Sequence, residues 1–350
     1  MLALELSRPG ANGVHPEVAT KIRTELYEER ETPGAGIAAF AKAFIPSGTR
    51  IFCEEALIVV RDEARQPEVY KAVSSLPKDK QAAYWELAAS SKPTKDVDWI
   101  NQLRSSYDGE PDSFNAIVES HEQAWSIYET NRFSLRYPNG DYKLGIFPKS
   151  ARLNHACAPN VFHRYNPRIN RLTIHALKDI QPGEELNTSY IDICHPTVVR
   201  RQMLKGWGFR CQCVVCESPD DEQDYRRKQL EDIMKKVKKR ESQRQLSGSN
   251  WPHKEYERSM KLIQKGVRLM NKEQMEESDT LGFLLTLATR YGLLMGQAEA
   301  AALWAASVVA IEEKCLGEDS NEHHAALVLR KTADAGGLAS RTLLSSSILA

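Results

Sequence analysis

The stretch Asn154-His155-Ala156-Cys157-Ala158-Pro159-Asn160 decides the fold: it packs two amides, an imidazole and a thiol into seven residues around a proline. Gly183-Glu184-Glu185-Leu186 and Tyr190 follow about thirty residues later, and Cys211-x-Cys213-x2-Cys216 lies beyond them. Three cysteines that close together are spaced too tightly for an ordinary disulfide framework. As thiolates they can all face one tetrahedral zinc ion. A closed structural site needs a fourth ligand, for which Cys53, Cys157, Cys194 and Cys315 are the candidates. Four cysteines with no open coordination position make a structural clip and not a Lewis acid, so the chemistry has to come from other residues.

Upstream of this stretch, turn signals at Pro33-Gly34-Ala35-Gly36 and Pro46-Ser47-Gly48 separate the β-rich runs IAAFAKAF and RIFCEEALIVV, which predicts short antiparallel strands. From about Gln66 to Arg136 apolar residues recur at three- and four-residue intervals, in EVYKAVSSL, KDKQAAYWELAA and SFNAIVESHEQAWSIYETNRF, which predicts a helical insert. Strand character returns between Lys143 and Tyr190, where RLTIHAL and ELNTSYI flank the turn Gln181-Pro182-Gly183-Glu184. Beyond Trp251 the pattern is helical almost throughout and resembles a tetratricopeptide-type array of antiparallel helices, without a clean repeat. The fold class expected is α+β. A mostly antiparallel β core over 20–192 carries a helical insert at 64–135, a zinc segment covers 193–217, and an all-α region follows over 218–340. The last residues, GGLASRTLLSSSILA, are expected to be loose.

Lys plus Arg and Asp plus Glu both total 47, so the chain has no net charge to draw it to nucleic acid or an anionic membrane. The run Arg226 to Arg244 holds nine basic and three acidic residues and reads as a solvated helix or linker, so strong nucleic-acid binding is not expected. No apolar stretch is long enough for a membrane span, and MLALELSRPGANG lacks a basic segment followed by an apolar one. The expectation is a soluble protein of a reducing, intracellular compartment, nucleus or cytoplasm.

The first two motifs resemble the signatures of the SET domain, Asn-His-x-Cys-x-Pro-Asn and Gly-Glu-Glu-(Leu/Ile)-x3-Tyr, and the cysteine triplet resembles its post-SET zinc segment. Gly34-Ala35-Gly36 is similar to the glycine turn that opens the domain, and Gly145-Ile146-Phe147-Pro148 to the strand entering its Asn-His motif. Agreement among motifs in this order carries the resemblance, where a lone Gly-x-Gly would not. The insert, the triplet and the helical C-terminal region most resemble the SET-and-MYND group and its MYND-lacking fungal relatives. From Asp62 to Asn131 there is no cysteine, so the MYND zinc finger is missing there.

The resemblance implies methyl transfer from S-adenosylmethionine to a lysine on a protein or peptide substrate, an in-line displacement that depends chiefly on alignment and exclusion of water. It implies cofactor contacts from Gly34, Ala35, Gly36 and Ile37, where the backbone can come close, and from Asn154 and His155. Trp207 and Phe209 are placed on the wall of the cofactor and lysine sites, Phe209 against the adenine. Phe147 is implied as a lining of the lysine channel and Tyr190 as the catalytic residue. The resemblance selects Cys157 as the fourth ligand, with Cys211, Cys213 and Cys216, of one structural zinc. Trp207 stands where the related group usually has a second tyrosine, and Pro33 and Ala35 stand where it commonly has basic residues. The alternative function is a SET-fold interaction module with weak or vestigial catalysis, and cofactor affinity separates the two.

Overall fold

In the computed structural model, residues 26–33, 36–90, 94–218, 220–248 and 251–336 are described. Gly34 and Ala35, the first residues of the expected β core and the end of the expected loose tail lie outside them.

Strands β1 (Tyr27–Thr32) and β2 (Gly36–Ala41) form an antiparallel hairpin in which Thr32 faces Gly36. Gly36 has φ +71°, a left-handed conformation that favours glycine at this turn. β3 (Arg50–Glu54) pairs antiparallel with β9 (Arg171–Ala176), which also pairs with β8 (Val161–Asn166). β4 (Ile58–Arg61) and β5 (Arg132–Arg136) flank β6 (Tyr142–Ile146) in a second three-stranded sheet. Ile45, Ile51, Leu153, Leu172, Ile174, Ile180 and Leu186 fill the space among these strands. The α+β expectation is met: antiparallel sheets make the core and helices follow.

Between β4 and β5 the chain leaves the sheet as four helices, α1 (Gln66–Ser74), α2 (Lys78–Trp85), α3 (Val97–Ser106) and α4 (Pro111–Asn131). α1 begins with a proline in its first turn and with Glu68 accepting from the Arg65 backbone N–H at 3.0 Å, so its free N-terminal amides are partly satisfied. Val69, Val73, Tyr84, Ile127 and Tyr128 bury themselves against Ile58, Leu144 and Ile146 of the second sheet. Each large apolar group so buried contributes about 1.5–3 kcal/mol. The expected helical boundary needs correction: Arg132–Arg136 is strand β5, not the end of the insert. The C-cap of α4, Arg132, turns to ψ 140°, and Phe133 and Leu135 then alternate with exposed neighbours as a strand requires.

After the core come α5 (Thr197–Leu204), the short α6 (Val214–Glu217), and the helical region α7 (Asp221–Ser247), α8 (His253–Lys272), α9 (Phe283–Leu294), α10 (Ala298–Leu316) and α11 (Asn321–Asp334). Consecutive members from α7 onward pack on one another. They share an apolar core with Phe162, Leu177, Ile193 and Cys194 of the β region. Polar links reinforce the seam: Arg50 pairs with Asp319, Arg164 with Asp279, and Asn166 Nδ2 donates to Asp319 Oδ1 at 3.2 Å.

The basic run inside α7 is only in part the solvated face expected. Lys235, Lys236, Lys238 and Lys239 are exposed, but Arg227 is buried in line with Leu230, Met234 and Val237. Among the described residues no helix is long and apolar enough to cross a membrane.

Glu312 on α10 is 6% exposed and accepts from Ser278 Oγ at 2.6 Å. Burial pushes its carboxyl up from 4.5 to about 7; the Ser278 hydroxyl opposes the rise and Glu322 adds to it. A folded-state value above the unfolded one means that the folded chain favours the protonated acid. This contribution to stability is complete below about pH 4.5 and declines as pH rises to about 7. Glu312→Gln, neutral at every pH, is expected to flatten that decline, read as the melting temperature between about pH 5 and about pH 7. An unchanged slope would count against Glu312 as its source.

Candidate active site and metal centre

The two motifs are brought together by two-residue strands. β7 (Asn154–His155) runs parallel to β10 (Asn187–Thr188), with Asn154 facing Asn187 and His155 facing Thr188. Asn160 locks the arrangement by accepting from Asn187 N at 2.7 Å and donating to the Glu185 carbonyl at 2.8 Å. The Gly-Glu-Glu-Leu segment is held from the other side by β2, through Ala41 N to Glu184 O and Leu186 N to Ala39 O, both 2.8 Å. The hairpin that ends in Gly36 and Ile37 packs against the turn Ser150–Arg152, just before Asn154. A Cβ placed on Gly36 would meet nothing within 4 Å, so open space adjoins that backbone.

Around these strands the expected residues occupy definite places. Asn154 Nδ2 donates to the Glu185 carboxylate at 2.8 Å. His155 Nδ1 accepts from the Tyr190 backbone N–H at 3.1 Å, which puts the ring proton on Nε2, 3.3 Å from Cys157 Sγ. Burial pushes the imidazole down to about 4, with nearby Arg200 in the same direction and Cys213 opposing, so the ring is neutral near pH 7. Tyr190 donates its hydroxyl to the Leu153 carbonyl at 2.8 Å. Burial, with Glu185 adding to it, raises the phenol above its ordinary value, so it stays protonated and able to donate.

Aromatic rings surround Tyr190: Trp207 at 5.5 Å, His155 at 5.4 Å and Phe209 at 6.3 Å between centroids. Trp207 Nε1 donates to the Thr130 carbonyl at 3.2 Å, which ties this segment to the end of α4. Phe209 is 38% exposed, so its ring is open to solvent in part. Phe147 lies apart from this group. It has no exposed surface and packs edge-on against Phe133, which in turn meets His163.

Of the four candidate partners for the cysteine triplet, Cys157 is the one the fold delivers. The ligand atoms of Cys157, Cys211, Cys213 and Cys216 all lie within 4.8 Å of one another. Cys157 Sγ is 3.6 Å from Cys216 Sγ and 4.0 Å from Cys211 Sγ. A regular tetrahedron with zinc–sulfur bonds of about 2.3 Å has edges of about 3.8 Å, so the spacing fits that ion. Cys53 is exposed on β3, and Cys194 and Cys315 are buried among the residues that join the helical region to the core.

Sequence reasoning missed three groups here: the Glu185 carboxylate, which holds Asn154, and the buried arginines 200 and 227. The arginines had a signal. Arg200 stands three residues after Thr197 and four before Leu204, and Arg227 stands three before Leu230, which is the spacing of a buried helix face.

Comparison with known proteins accords with this geometry. Residues 36–191 match the family model described as "SET domain". Over those residues the chain is similar to a SET domain. It is 34% identical over 214 residues to "Histone-lysine N-methyltransferase set5" of Schizosaccharomyces pombe, covering 59% of this chain and 56% of that one. It is 37% identical over 128 residues to the human "N-lysine methyltransferase SMYD2", covering 36% of this chain and 28% of that protein. The chain thus spans little more than half the length of the first relative and less of the second. Among solved structures it overlaps the SET domain of LSMT bound to lysine and AdoHcy, at 9% identity and a TM-score of 0.36, covering 92% of this chain and 89% of that one.

Proposed function

We propose that the chain is a protein-lysine N-methyltransferase that uses S-adenosylmethionine and holds one structural zinc. One observation carries this reading: a protonated Tyr190 phenol stands within a cage of aromatic rings and is hydrogen-bonded through its backbone to His155. S-adenosylmethionine supplies an electrophilic methyl group on a sulfonium. Asn154, His155 and the backbone at Gly36 and Ile37 would hold that cofactor, with Phe209 against its adenine. Gly34 and Ala35 belong to the same proposed set. Tyr190 would orient the lysine amine and the aromatic cage would keep water out, with Phe147 supporting the channel from the β core behind it.

A lysine can attack only as the free amine, and an apolar aromatic setting lowers its pKa in that direction. Cys157, Cys211, Cys213 and Cys216 would hold the zinc, whose part is to fix the Trp207–Phe209 wall against the Asn-His strand. A four-thiolate centre needs reduced cysteines, which supports an intracellular location, nucleus or cytoplasm. The name of the first relative supports a histone lysine as substrate, and a lysine of another protein is the alternative within the same reading.

Calorimetric titration of the zinc-loaded protein with S-adenosylmethionine tests the reading. A micromolar Kd, about −8 kcal/mol, is expected. A folded, zinc-loaded chain that binds none would overturn it and leave a SET-fold interaction module.

A further inference from the structure

Two arginines are buried beside the thiol cluster, and their surroundings differ. Arg227 of α7, 1% exposed, donates to the Ile193 carbonyl at 2.7 Å and to the Cys157 carbonyl at 3.3 Å, and its Nε lies 3.5 Å from the Glu273 carboxylate. That cation has its anion. Arg200 of α5 has no exposed surface at all. Its guanidinium donates to the His195 carbonyl, to Thr197 Oγ1 at 2.9 Å and, at 3.8 Å, to Cys216 Sγ; its Nε, like that of Arg227, makes no hydrogen bond. Among the described residues no carboxylate pairs with it.

A guanidinium withdrawn from water and left without an anion is strongly disfavoured, and carbonyls and hydroxyls compensate it only in part. If the four cysteines were neutral thiols, Arg200 would be such an orphan. Four thiolates around one divalent zinc instead carry a net charge of two minus, buried with it. The other donors to the sulfurs are neutral: His155 Nε2 toward Cys157 and the Cys157 backbone N–H toward Cys213 at 3.4 Å. Among the described residues Arg200 is therefore the cation that donates to a ligand sulfur.

We infer that Arg200 is the counter-cation of the thiolate centre, and that its charge sets how tightly the metal is retained. The inference rests on the zinc reading above. Arg200, fully buried and donating to Cys216 Sγ, is a positioning residue that acts through that sulfur. Groups just outside a metal's ligands typically shift metal affinity by about 10- to 100-fold when removed.

The test compares full-length wild type, Arg200→Gln and Arg200→Lys for zinc per chain, by atomic absorption, and for the rate of zinc transfer to a chromogenic chelator. Gln removes the charge and keeps a hydrogen-bonding amide; Lys keeps the charge and loses the guanidinium fork. The Gln variant is expected to release zinc at least about 10-fold faster than wild type, and the Lys variant within about threefold of it. Zinc held by Arg200→Gln as tightly as by wild type would overturn the inference. So would release from Arg200→Lys as fast as from Arg200→Gln, which would mark a role in hydrogen bonding alone. Should Arg200→Gln fail to fold, Arg200→Lys decides: a lower melting temperature with wild-type zinc retention supports the charge, and lost zinc overturns it. A wild-type chain purified without zinc would overturn the metal centre itself, a result distinct from any failure of the arginine variants.

Discussion

Replacing Tyr190 by Phe is expected to lower methyl transfer by at least about 100-fold while leaving the Kd for S-adenosylmethionine within about threefold. The ring of the variant keeps its neighbours His155, Trp207 and Phe209, so the apolar cage survives. What disappears is one hydroxyl, which donates to the Leu153 carbonyl at 2.8 Å. Losing such a bond costs about 0.5–1.5 kcal/mol of stability, too little to unfold the chain. Leu153 directly precedes Asn154, so a purely structural tyrosine would loosen β7, which carries the proposed cofactor residues, and raise Kd instead. Turnover and Kd measured together separate the two roles: turnover comparable to wild type removes the catalytic assignment, and a weakened Kd with matching loss of turnover makes Tyr190 a support for Asn154.

The second large effect is expected on replacing Cys216 by Ser, which should take the zinc content from one ion per chain to none. Cys216 is fully buried, 3.6 Å from Cys157 Sγ, so the lost ligand has no substitute nearby. Zinc binding to four preformed ligands is linked to folding with an apparent free energy of about 10–16 kcal/mol in small zinc domains. That is as large as the whole stability of an ordinary domain, about 5–15 kcal/mol. The variant, and wild type treated with a strong chelator, should therefore melt at markedly lower temperature and lose cofactor binding, because Cys157 is two residues from His155. Cys53→Ser, at an exposed position on β3, serves as the control and should change nothing. Retention of a full zinc ion by Cys216→Ser, measured by atomic absorption, would remove that residue from the ligand set.

The site was legible in the sequence because its parts are local. Asn154 to Asn160, Gly183 to Tyr190 and Cys211 to Cys216 each announce themselves within a few residues, and the fold needs only to join them. What could not be read is what depends on distant pairing. Nothing local in RIFCE says that it lies beside RLTIHA, more than a hundred residues on, rather than beside its neighbour IVVR. The end of the insert was misread for the opposite reason. RFSLR follows α4 with no Gly or Pro to break the helical pattern, and its alternation is only five residues long. Arg227 was hidden by company: among nine basic residues the one facing inward shows itself only through its spacing from Leu230, Met234 and Val237.

The arrangement of the second sheet has a consequence for how such a chain tolerates change in length. β4 ends at Arg61, opposite Lys143 of β6, and β5 begins at Arg132, opposite Ile146 of the same strand. The segment between them thus departs and returns on either side of a single strand, with ends roughly 14 Å apart. A segment with its ends pinned so closely adds closure entropy only as the logarithm of its length, about 0.6 kcal/mol for each doubling. Helices could be gained, shed or exchanged at this point with little penalty to β7 and β10, the strands that lead to Cys157 and Tyr190. The gap between β4 and β5 is therefore the place where new recognition surfaces can be grafted onto an unchanged β core.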